Sequence, residues 1–470
     1  MMRHRRIPLP ISALCVLMAC LVSVLPARGA QGELQKPPRP WAEVEAKDLP
    51  PGEPGEDYTP VVTPNGRSAD YRVVDGVKVY HLVAEPVTLD IVPGKLQIKT
   101  WGYNGDVPGP TIEACVGDRV RIYVTNNLPA PTSVHWHGIL LECGMDGVMG
   151  LTQPKIEPGE TFKYEFTVPE SGTFMYHPHF DSMTQEGMGL TGMFIVHERQ
   201  PEEERPDRDF AIMLHEWSVE GGTMRPNTLE NVDFNLLTMN GTVMPATEPL
   251  VTGLGDDVRI RFGNLSAMDH HPIHLHGYEF KVIGSSGGWL DPQHALPVTT
   301  VLVPVGTTRV IQFNADNPGD WLMHCHMTHH TMNQMGHGLP NMVGAETNGV
   351  DKKIRELVPG YMSMGTLGMR DMTRMGMPLP DNSIPMLGAK LQFGQTVLGG
   401  MATVLKVREG LESYKDPGWY DFPEGTMSRE ATETDMERDG IQPPPMPEKT
   451  RRLLDNHNMS ENGSGNGQQQ

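Results

Sequence analysis

The chain has 470 residues, enough to bury more than one core, with 38% hydrophobic residues, 20% charged residues and a formal net charge of −20. That acidity excludes a nucleic-acid partner, because phosphate binding needs a basic surface. The 51 glycines and 42 prolines favour turn-rich β architecture over helix bundles.

Residues 1–29 read as a signal peptide. Arg3, His4, Arg5 and Arg6 precede an apolar run from Ile11 to Leu25, and Ala27-Arg28-Gly29 supplies small residues for cleavage. Sec export, twin-arginine export through Arg5-Arg6 and lipid attachment at Cys20 all stay open. The run is short for a membrane span and no other segment is long and apolar enough, so the expectation is an exported protein, periplasmic or secreted, with no span after processing. Without the signal, the five cysteines fall to Cys115, Cys143 and Cys325; whether Cys115 and Cys143 pair or stay thiols is open.

Residues 30–75, rich in Pro, Gly and Glu, are expected as an extended N-terminal arm. An internal repeat follows, with domain 1 expected over 76–200 and domain 2 over 201–348. Gly117-Asp118-Arg119-Val120-Arg121-Ile122 leads to Asn126-Asn127-Leu128 and His135-Trp136-His137; Gly255-Asp256-Asp257-Val258-Arg259-Ile260 leads to Asn264-Leu265 and His274-Leu275-His276. The later halves match at equal offsets. Pro158-Gly159-Glu160-Thr161 precedes Phe166, Gly172 and His177-Pro178-His179, and Val305-Gly306-Thr307-Thr308 precedes Phe313, Gly319 and His324-Cys325-His326. Short alternating runs broken by Gly, Pro and Asn predict an all-β fold of two tandem Greek-key barrels or sandwiches. A Met-rich C-terminal extension is expected over 349–437, with Met362, Met364, Met369, Met372, Met375 and Met377, and a disordered tail over 438–470.

Four His-x-His pairs punctuate the repeat, more than chance placement of 19 histidines supplies. Residues two apart on a strand share a face, so each pair offers two imidazoles to one side of a sheet. Eight neutral nitrogen donors suit a cluster of borderline metals such as copper. In His324-Cys325-His326 the same alternation turns Cys325 away from its neighbours, so one strand touches two sites. His271 likewise faces away from His274 and His276, and His330 and Met335 follow Cys325 by five and ten residues. Two His, one Cys thiolate and a weak Met form the ligand set of a blue copper electron-transfer site.

These segments, His135-Trp136-His137-Gly138, His177-Pro178-His179, His271-Pro272-Ile273-His274-Leu275-His276-Gly277 and His324-Cys325-His326 through His330 to Met335, resemble the four copper-binding motifs of the multicopper oxidases, the family of laccases and cuprous oxidases. The resemblance implies two cupredoxin-like domains and four coppers per site. Type 1 copper would take His271, Cys325, His330 and Met335; type 2 would take His135 and His274; the type 3 pair would take His137, His177, His179, His276, His324 and His326. It also implies that Asp146 helps deliver protons to reduced oxygen; a turn aspartate beside glycines is the alternative. Only two domains are visible, and Pro178 stands where Cys325 stands in the second copy. That pattern resembles the two-domain, small-laccase branch, whose clusters lie between neighbouring subunits of a homotrimer. Thr331 stands after His330 where some relatives carry an acid.

The implied activity is one-electron oxidation of a small donor (Cu(I), a phenol or Mn(II)) coupled to reduction of dioxygen to water. The methionines Met362 to Met377 offer soft ligands for Cu(I) or simple apolar packing. A two-domain copper nitrite reductase and a non-catalytic copper-binding or tolerance protein are the alternatives.

Overall fold

The computed structural model describes residues 50–220, 222–333, 381–384, 390–396 and 398–452, with positions 353, 356 and 357. Met335, the stretch Met362 to Met377, the expected signal and residues 453–470 lie outside the described residues.

Alternation along Arg119–Asn126 turns Val120, Ile122 and Val124 inward and leaves Arg119 exposed. This strand pairs in parallel with Val77–Val92 and antiparallel with Thr161–Thr167, in a five-stranded sheet completed by Tyr71–Val74 and Leu96–Tyr103. A second sheet runs Gly109–Cys115, Gly192–His197, Gly172–His177, His135–His137. Ile122, Val124, Trp136, Phe174 and Phe194 pack the two together.

The same plan recurs in the second half. Asp257–Asn264 pairs in parallel with Arg208–Trp217 and antiparallel with Thr307–Asn314. The facing sheet runs Leu250–Gly253, Ala402–Arg408, Gly319–Cys325, His271–Leu275, Thr300–Val303. Phe262, Ile273, Met323 and Leu405 join the two sheets in one core. The fold is therefore all-β, with two tandem barrels of matching strand order.

One boundary differs from expectation. Ala402–Arg408, from the segment read as a C-terminal extension, holds the place in the second barrel that Gly192–His197 holds in the first. The second barrel thus closes with a strand from well past residue 348. Its entry is fixed at the centre of the sheet: Cys325 N–H donates to Met401 O at 3.0 Å, and Met401 N–H donates to His330 O at 3.0 Å. The expected disordered tail also begins with order. The helix Glu433–Asp439, held by a capping box between Thr432 and Asp435, crosses its start, and residues 448–452 are helical.

The expected arm binds both barrels. Val61 N–H donates to Glu113 Oε2 of the first, while Val62 N–H donates to Asp209 O of the second. Within the second barrel Arg261 makes two 2.8 Å bonds to the Asp209 carboxylate, and it reaches the first barrel through one of 2.9 Å to Thr173 Oγ1, all buried. Removing one partner of such a buried pair costs about 3–5 kcal/mol, and the pair anchors the guanidinium that bridges to the first barrel.

Candidate metal centres

Three groups of donors gather at the ends of the inner sheets. The first is built on His135–His137, which pairs antiparallel with the end of Gly172–His177. Alternation sends Trp136 into the core, edge-on to Tyr164, and His135 and His137 to the rim. His137 Nδ1 lies 3.1 Å from His177 Nε2, and the His135 ring centroid is 5.4 Å from His177 and 5.7 Å from His179. Single donor atoms of His135, His137 and His177 lie within 4.8 Å of one another.

The outer nitrogens are spoken for. His135 Nδ1 is 2.8 Å from Asp146 O and 3.4 Å from its Oδ1; His177 Nδ1 is 2.9 Å from Pro178 O and 3.2 Å from Glu186 Oε1. A neutral imidazole that donates from Nδ1 presents a lone pair at Nε2, so these bonds leave the inner nitrogens as ligands. Gly147 holds the Asp146 turn in place: at φ +81° it favours glycine, and an added Cβ would collide with Val134 O. Burial first, then His177 and His135, push His137 down to about 4, which keeps it neutral.

The second group repeats this arrangement. His276 Nε2 is 3.3 Å from His324 Nε2, and the His274 centroid is 4.8 Å from His276, 5.7 Å from His324 and 5.6 Å from His326. His324 Nδ1 bonds Cys325 O at 2.7 Å, as His177 bonds Pro178 O, and His274 Nδ1 bonds Thr299 O at 2.6 Å. No hydrogen bond or ring contact joins these four histidines to the first four, although all eight are described. His137 meets the second barrel at the Gly306 turn.

The third group lies on the other face of the same strands. Cys325, paired with Ile273, points into the barrel, where its Sγ is 3.8 Å from His271 Nδ1 and 3.6 Å from His330 Nδ1. The two imidazole nitrogens are 3.2 Å apart and all three residues are buried. Burial pushes His271 down to about 3 and the Cys325 thiol up to about 12. Three converging donors, one of them a thiol that needs a metal to ionise, fit a soft or borderline ion such as copper.

The sequence reading missed the groups that hold these ligands: Ser266, Asp269, Glu186 and Thr299. Asp269, two residues before His271, was the one with a local signal. Thr331 bonds Thr328 O in a short turn. Cys115 is a buried free thiol and Cys143 an exposed one, so no disulfide joins them.

Paired Greek-key barrels with buried Cys/His and clustered His donors define a copper protein of the cupredoxin-like, two-barrel class. The chain belongs to the multicopper oxidase family: two profiles of that description match residues 88–201 and 220–344, together just over half of the chain. It is 31% identical over 261 residues to copper resistance protein A of Escherichia coli, covering 45% of this chain and 42% of that protein. Laccase-1 of Botryotinia fuckeliana is 33% identical over 239 residues, covering 48% and 41%. The chain thus spans under half the length of these curated relatives. Among solved structures, the blue copper oxidase from Nitrosomonas europaea covers 70% of this chain and 85% of its own at 27% identity, with a TM-score of 0.51.

Proposed function

We propose that the chain is a two-domain multicopper oxidase that couples one-electron oxidation of a small donor to four-electron reduction of dioxygen. The observation that carries this reading is the strand Gly319–Cys325, which presents Cys325 to His271 and His330 on one face while His324 and the following His326 belong to the histidine group on the other. In this reading His271, Cys325, His330 and Met335 hold type 1 copper, His135 and His274 type 2, and His137, His177, His179, His276, His324 and His326 the type 3 pair. When bound, copper supplies single-electron acceptance from the donor and four-electron delivery to dioxygen, which leaves as water. The chain supplies neutral nitrogen donors, a short covalent path from Cys325 to its neighbours, and an acid, Asp146, within 3.4 Å of His135 to hold a proton.

Each set of four histidines is half of the implied three-copper cluster, and no hydrogen bond or ring contact joins the halves within one chain. That separation supports a homotrimer in which the first group of one chain faces the second group of the next. Both faces carry exposed apolar side chains suited to such contact: Leu140 and Met183 near the first, Leu302 and Met327 near the second. Among the described residues no helix is long and apolar enough to cross a membrane; with the leader at 1–29 this supports export to the periplasm or outside. The nitrite reductase alternative needs one catalytic copper and leaves most of the histidines without a role.

Oxygen uptake tests the reading. Purified protein should carry four coppers per chain, sediment as a trimer and consume oxygen with Cu(I), a phenol or Mn(II), and deletion of 361–380 should lower the Cu(I) rate selectively. Nitrite turnover without oxygen uptake, or one copper per chain, would overturn it.

A further inference from the structure

One loop holds the outer nitrogens of both histidines beside Cys325. Ser266 Oγ lies 2.8 Å from His271 Nε2, and an Asp269 carboxylate oxygen lies 3.4 Å from His330 Nε2. Two sets of bonds shape this loop, and the repeat distinguishes them.

The first set belongs to both barrels. Asn264 accepts from Ser266 N–H and donates to Asp269 O and Val303 O. In the first barrel Asn126 accepts from Leu128 N–H and donates to Ala130 O and Ile156 O. The first barrel has no cysteine between its histidines, so this asparagine frame serves the fold.

The second set exists only beside Cys325. His215 Nδ1 bonds Leu265 O at 2.9 Å, and Glu216 Oε1 accepts from Met268 N–H at 2.5 Å and from Asp269 N–H at 3.2 Å. Strand register supplies an internal control. Leu214 pairs with Asn264 as Ala84 pairs with Asn126, so Glu85-Pro86 occupy the places of His215-Glu216 in the first barrel. Pro86 is exposed there, whereas Glu216 is only 2% exposed and reaches across to a loop some fifty positions away. A carboxyl side chain is costly to bury, and the fold retains one here without an arginine or lysine partner.

We propose that Glu216 is a positioning residue for the type 1 centre: by gripping the main chain at Met268 and Asp269, it sets the loop that fixes the outer nitrogens of His271 and His330. The inference rests on the type 1 assignment above. Burial, then the charge of Asp269, push the Glu216 carboxyl up to about 8, so at neutral pH its Oε1 accepts as an uncharged carbonyl oxygen. Glutamine keeps that oxygen at the same reach; alanine removes it, and aspartate withdraws it by one methylene. Groups that orient metal-bound histidines from outside change metal affinity about 10- to 100-fold when removed.

In copper-loaded full-length protein, Glu216→Ala should lower type 1 copper retention against a chelator about tenfold and alter the blue absorption and its electron-spin spectrum. Glu216→Asp should follow it in direction, and Glu216→Gln should keep wild-type retention and spectrum. Thermal unfolding of the copper-free variants identifies any that fail to fold, and the aspartate and glutamine forms then carry the comparison. Folded alanine or aspartate variants with unchanged spectrum and retention would overturn the positioning role, as would a glutamine variant as impaired as alanine. A colourless copper-loaded wild type would instead overturn the type 1 assignment on which the role rests.

Discussion

His177-Pro178-His179 and His324-Cys325-His326 occupy the same place in matching sheets, yet the space behind them is used differently. Behind Cys325, His271 and His330 converge on the sulfur. Behind Pro178, the residue three before His135 is Thr132 rather than histidine, and it bonds Gln185 at 2.7 Å; both are buried, and Gln185 also bonds Pro131 O. The first barrel has filled with a neutral hydrogen bond the pocket that the second fills with Cys325, His271 and His330. The difference shows that a rim of histidines and an interior centre are separable features of one sheet: the rim recurs in both copies, and the interior is decided by three side chains.

The comparison can be broken most severely at the sulfur. Cys325→Ser should abolish the intense blue absorption and the oxidase activity while most of the other copper stays bound; retained oxygen uptake would refute the route through this strand. The interior pockets should also differ in their response to acid. His271 has an ordinary value of 6.5 and is held at about 3 in the fold, so between these values the unfolded chain binds a proton that the folded chain refuses. Stability of the copper-free protein should therefore be full above pH 6.5 and fall as pH drops toward 3, by up to about 1.4 kcal/mol per pH unit from this group. Urea unfolding at several pH values reads the slope, and His271→Gln should flatten it. The smallest effect belongs to the neutral pocket. Thr132→Val leaves Gln185 Oε1 without its donor and should cost about 1–3 kcal/mol of stability with copper content unchanged, as denaturant unfolding and metal analysis would check.

Much of the candidate site was legible because its donors sit at fixed offsets within a repeat. Strand alternation at Cys325 needed only the order of three residues, and the matching of His324-Cys325-His326 to His177-Pro178-His179 needed only their equal spacing from Gly306 and Gly159. What holds those donors was not legible. Glu216 reaches Met268 and Asp269 across a sheet, Glu186 meets His177 from a short helix, and Thr299 meets His274 from the bend before the neighbouring strand; each contact depends on how distant segments pack. The boundary at 348 failed for a related reason. The change in composition there does not end the domain, and Ala402–Arg408 joins the sheet because Leu405 and Val407, two and four residues past Thr403, turn with Met401 into the core. Composition registers a change of character, whereas the partner of a strand is a matter of register.

That return has a consequence for how the protein matures. Met401 bridges Cys325 and His330 through their main chains, so the wall of the sulfur-bearing pocket is supplied by residues that leave the ribosome long after the ligands themselves. Until that strand arrives, a newly made chain would expose its thiol to oxidants; once it docks, a cut between residues 334 and 380 would leave both pieces clasped by the hydrogen bonds of Ala402–Arg408 to the strands on either side.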